Sequence, residues 1–75
     1  MLLFERVLEE VRLYMGDQAE PFITRQCSVH LTIPKESLTK ADLPKLAWWV
    51  KVSASLVISK DKAEKLAERI LALAE

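Results

Sequence analysis

The sequence has 75 residues, with eleven basic and eleven acidic side chains, a formal net charge of zero, 51% hydrophobic residues and 29% charged ones. That length holds one small domain, which buries roughly 60% of the surface its unfolded chain exposes, and the apolar share is too high for a disordered chain. One glycine and three prolines are too few for the tight reversals of a β sandwich or barrel, and balanced charge offers no strong field to draw a phosphate backbone or an anionic membrane.

A single cysteine excludes an internal disulfide, which fits a reducing, cytoplasmic setting. The opening MLLFERVLEE lacks the basic region, long apolar run and small-residue cleavage site of a secretory signal. No apolar stretch approaches the roughly 20 residues that a membrane-crossing helix needs. The expectation is one all-α domain over residues 1–75, a compact bundle of four short helices with an extended connection between the second and the third.

The first helix is the clearest element. Leu3, Phe4, Val7, Leu8, Val11, Tyr14 and Met15 recur at three- and four-residue intervals and make one stripe, with Glu5, Arg6, Glu9, Glu10 and Arg12 as its solvated face. Gly16 can take a positive φ and close this helix, after which Asp17 can cap the next one with Glu20 at its N3 position. Pro21 then falls just past the first turn, so an irregular start is predicted. Ala19, Phe22, Ile23 and Cys27, continued by His30 and Leu31, form the second buried stripe. In CSVHLTIP the apolar residues Val29, Leu31 and Ile33 alternate, which suits a strand. A lone strand has no partner elsewhere in the chain, so the second helix is read as fading into an extended segment, and Pro34 biases Ile33 away from the helical region.

In KESLTKADLPKL, Pro44 decides where the third helix begins. A cap at Asp42 places the proline in the first turn, where its missing N–H is harmless, so a short helical turn over Ser37 to Ala41 and a main helix from about Leu43 are predicted. Its apolar residues form two faces: Leu46, Ala47, Val50 and Ala54 on one, Trp49, Val52 and Leu56 on the other. A helix that is apolar on two sides is central or meets a partner. Ser59 caps the last helix, Asp61 sits in its first turn, and Ala63, Leu66, Ala67, Ile70, Leu71 and Ala74 make its stripe.

The stretch GDQAEPFITR, from Gly16 to Arg25, resembles a small helical module appended to bacterial signalling proteins, including kinase-like and cyclase-like ones. The leucine-rich helix of that module corresponds here to Leu43, Leu46 and Ala47, and its final helix to Ala63 through Ile70. The resemblance implies a four-helix fold and a regulatory or interaction role without catalytic residues. Pro21, the paired tryptophans and the CSVHLTIPKES connection depart from its usual phrasing.

Candidate chemistry is sparse. Cys27 and His30 lie three apart, but a structural zinc site takes four ligands and a catalytic one three, and the chain has no further cysteine or histidine. No glycine-rich phosphate loop or nucleophile elbow is present, so neither an enzyme nor a cofactor is expected. Trp48 and Trp49 point about 100° apart on a helix, so one ring enters the core while the other meets its edge or a partner. The expected function is a non-catalytic interaction or regulatory module that docks onto a protein partner or onto itself as a homodimer, with Trp48, Trp49, Val52 and Leu56 as interface candidates. Two alternatives are nucleic-acid binding through Lys35, Lys40, Lys45, Lys51, Lys60 and Lys62, disfavoured by the zero net charge, and carriage of a small apolar ligand between helices.

Overall fold

A computed structural model describes residues 2–74 of the chain. All regular structure among the described residues is helical: α1 spans Leu3–Met15, the seven-residue α2 spans Ala19–Arg25, α3 spans Leu43–Ala54 and α4 spans Lys60–Ala72. Only α1, α3 and α4 are full helices of 12 or 13 residues. The second expected helix is a composite, with a 3-10 turn over Gly16–Gln18, then α2, then a π-helical stretch over Gln26–Leu31. The compact all-helical reading stands, whereas four comparable helices are replaced by three and this composite segment.

Gly16 ends α1 at φ 59° and ψ −129°, its N–H donating to the Arg12 carbonyl. That backbone region is essentially reserved for glycine. Asp17 does not cap α2: it lies within the 3-10 turn, and α2 begins without a side-chain cap. Because the 3-10 turn delays the start of α2, Pro21 becomes its third residue and falls among the amides that have no intrahelical acceptor.

The expected extended run from Val29 is instead wound. Cys27 and Leu31 are both buried and anchor the π stretch from within, while Val29 faces solvent, so the alternation of apolar residues does not mark one face of a strand. The stretch ends at Thr32 in the left-handed region, φ 54° and ψ 38°, where its N–H donates to the Cys27 carbonyl; Ile33 N–H donates to the same oxygen at 3.2 Å. The connection to α3 carries two 3-10 turns, Lys35–Ser37 and Lys40–Asp42, rather than one over Ser37 to Ala41. Leu38, between them, is buried and closes the core. Asp42 reaches backward instead of capping α3, since its carboxylate accepts from Thr39 N–H at 3.0 Å and Thr39 Oγ1 at 2.9 Å. Pro44 sits in the first turn of α3 as predicted. Ser59 caps α4, accepting from Lys62 N–H at 3.2 Å.

The core joins Phe4, Val7, Leu8 and Val11 of α1 with Ala19, Ile23, Cys27 and Leu31 of the composite segment, and with the inward faces of α3 and α4. The α3–α4 contact is the most extensive. Across the bundle, the Arg69 guanidinium grips the Glu10 carboxylate through Nε and Nη2, the Nη2 donor lying 3.2 Å from Oε1, and so joins α4 to α1.

The two positive-φ residues make opposite predictions. Gly16→Ala should cost about 1–3 kcal/mol, although a Cβ there meets nothing within 4 Å, because the backbone alone opposes it. Thr32 is β-branched in a conformation such residues avoid, so Thr32→Gly should stabilise by about 0.5–1 kcal/mol after the added freedom of the unfolded chain is subtracted. Chemical denaturation of both variants checks the pair.

Candidate interaction face

Helix α3 is flanked on one side by α4 and on the other by the π stretch. Its inward face, Leu43, Leu46, Ala47, Val50 and Ala54, is fully covered. On the π-stretch side, Ser53 Oγ donates to Gln26 Oε1 at 3.2 Å, and the His30 ring stacks on Trp49 with centroids 3.9 Å apart and planes 8° from parallel. Gln26 and His30 are four apart, as are Trp49 and Ser53, so one turn of each element pairs with one turn of the other. This polar and aromatic seam half-buries Trp49. The Trp48 ring meets Trp49 edge-on at 4.8 Å and is itself 56% exposed.

Neither tryptophan therefore enters the core, in contrast to the expected division into one buried and one peripheral ring. The candidate residues also do not share one face. Trp49 turns toward the composite segment, Trp48 and Val52 turn outward, and Leu56 lies beyond the end of α3, 87% exposed in the turn before α4. What joins Trp48 is a residue of α4: a groove is lined by Pro44, Ala47, Trp48 and Lys51 from α3 and by Ala67 and Leu71 from α4. An adjoining groove is lined by Lys51, Glu64, Ala67, Glu68 and Leu71. Leu71, placed by periodicity in the buried stripe of α4, is 42% exposed, the same as Val52. The stripe of α4 is one residue wider than α3 can cover, and the only sequence sign of this is that Leu71 flanks the small Ala67 on the side of Glu64 and Glu68.

The result is an apolar strip along the outer α3–α4 surface, floored by the small side chains of Ala47 and Ala67 and edged by Trp48 and Leu71. Lys51 stands on its α3 rim, Glu64 and Glu68 on its α4 rim. Two ion pairs form among the described residues, Arg12 with Glu20 and Arg69 with Glu10, and the three rim charges take part in neither. Of the lysines weighed for nucleic acid, Lys51 and Lys60 line a common groove, whereas Lys35 turns to α1 and lies over the Phe4 ring at 5.6 Å.

Cys27 and His30 separate in the wide π winding: the thiol is buried in the core, while the imidazole packs on Trp49 at its edge. No group of three or more His, Cys, Asp or Glu among the described residues is placed to hold a metal ion, and no helix among them is long and apolar enough to cross a membrane. Burial first, and the charge of Asp42 second, push the Cys27 thiol pKa up. The folded chain thus keeps a proton that the unfolded chain releases. The thiol's contribution to stability is fully present below the ordinary thiol range, about 8.5, and is lost as the pH climbs from there toward the raised folded value. Wild type should lose stability over that range by more than Cys27→Ala does, and native Cys27 should resist iodoacetamide until denaturant exposes it. Rapid alkylation of the native protein would contradict the assignment. Compared with known protein families, curated proteins and solved structures, the chain matches none.

Proposed function

We propose that this chain is a non-catalytic protein-interaction module, regulatory in role, that meets a protein partner or a second copy through the outer α3–α4 face. One observation carries the reading. The bundle completes a continuous core without Trp48, Val52 or Leu71, yet leaves these large apolar side chains exposed, with Trp48 and Leu71 lining one groove between α3 and α4. Tryptophan is costly to leave in water and is enriched among the residues that anchor interfaces. The resemblance of GDQAEPFITR to modules appended to bacterial signalling proteins supports the regulatory side of the proposal. The buried free thiol of Cys27 suits a reducing cytoplasm.

The reading requires that Trp48 be dispensable for folding. Trp48→Ala should change stability by less than about 1 kcal/mol, as exposed substitutions do. Trp49→Ala, which also removes the stack on His30, should cost about 2 kcal/mol, part of the about 3–5 kcal/mol lost at fully buried tryptophans. Thermal and denaturant unfolding of the two variants gives the comparison. A loss of about 3–5 kcal/mol at Trp48 would assign its ring to the fold and end the proposal.

A further inference from the structure

The chemistry of the strip's two rims narrows the partner. Lys51 on the α3 rim is positive, Glu64 and Glu68 on the α4 rim are negative, and among the described residues none is engaged in an ion pair. An acidic partner segment suits Lys51 but is repelled by the glutamates, and a basic one meets the converse. A surface that carries both signs on opposite edges of an apolar strip is complementary to itself. The lining residues fix the heights along the strip: Pro44 and Trp48 stand level with Leu71, and Lys51 stands beside Glu64 and Glu68. A two-fold axis lying against the face and parallel to the helices exchanges the two edges while preserving height. It sets α3 of one copy on α4 of the other, Trp48 on Leu71, and Lys51 on the glutamates.

We infer that the occupant of this face is a second copy of the chain, docked about such an axis with Lys51 of each copy against Glu64 and Glu68 of the other. The inference rests on the interaction reading above and names its partner. The floor of Ala47 and Ala67 lets facing helices approach closely, and zero net charge removes the repulsion between copies. The size also fits. A stable interface takes about 800 Å² from each partner, about a sixth of the 4677 Å² surface, which is what one face of a body measuring 29 × 24 × 21 Å offers.

The test is charge reversal read by sedimentation from about 10⁻⁶ to 10⁻³ M. Wild type should dimerise within that range. Lys51→Glu makes all the rims negative, and Glu64→Lys with Glu68→Lys makes them all positive. Each variant alone should associate at least about tenfold more weakly, and an equimolar mixture of the two should form a heterodimer more readily than either forms a homodimer. Melting curves confirm that the variants fold, and Glu68→Lys alone replaces the double variant if that one does not. A wild type that is monomeric throughout overturns the second copy as partner. If Trp48→Ala is then still nearly neutral for stability, the interaction reading stands with a different protein partner. A dimer indifferent to both reversals overturns the inference too, since it uses another surface.

Discussion

Helix α3 carries apolar side chains around more of its circumference than the rest of this short chain can cover, and the arrangement of the other elements follows from that shortage. Leu43, Leu46, Ala47, Val50 and Ala54 take the inward face and are sealed by α1, α4 and the composite segment. The remaining apolar area is covered only in part: the π stretch half-buries Trp49, while Trp48 and Val52 stay exposed. A small domain has a high ratio of surface to volume, so the leftover area cannot be hidden by adding depth to the core. It is either moderated locally or left for another molecule.

The composite segment supplies the local moderation. Cys27 and Leu31, four apart, both stay inward through the π winding, as they would on a regular α-helix, while Gln26 meets Ser53 and His30 meets Trp49. Such windings are rare and cluster where a helix must redirect side chains. Here the redirection covers half of one tryptophan and gives the amide oxygen of the buried Gln26 a donor. Thr32, held in the left-handed region immediately afterwards, marks where the chain leaves that register, and its unfavourable conformation is sustained by the two amides that converge on the Cys27 carbonyl.

Periodicity made the inward face of every full helix readable, because three- and four-residue spacing records which side of a helix avoids water. Gly16, Pro44 and Ser59 were readable for a related reason, since each relies on backbone chemistry confined to a residue or two. Asp17 and Asp42 misled because a capping side chain has several local amides within reach, and the delayed helix starts decide among them. The π stretch was hidden by its composition: β-branched Val29, Thr32 and Ile33 suit a strand when taken alone, and only the burial of Cys27 and Leu31 on one inner edge overrides that preference. The α3–α4 strip was half legible. Surplus apolar area on α3 announced a face, but the contribution of Leu71 and the opposed rim charges depends on which side of α4 meets α3, a tertiary choice that the sequence pattern does not record.

The grip of Arg69 on Glu10 joins residues 59 apart in the chain, whereas α3 and α4 are joined by the short stretch 55–59. These two closures differ in entropic cost, because the price of bringing segments together rises with the length of chain between them. The hairpin of α3 and α4 is thus a local closure, as is the turn from α1 through Gly16–Gln18 into α2, and the Glu10–Arg69 pair is the long-range closure that joins α1 to the hairpin. Proteins dominated by such near-neighbour contacts fold fast. The exposed strip therefore lies wholly on a locally closed unit, and its shape does not depend on the long-range closure between α1 and α4.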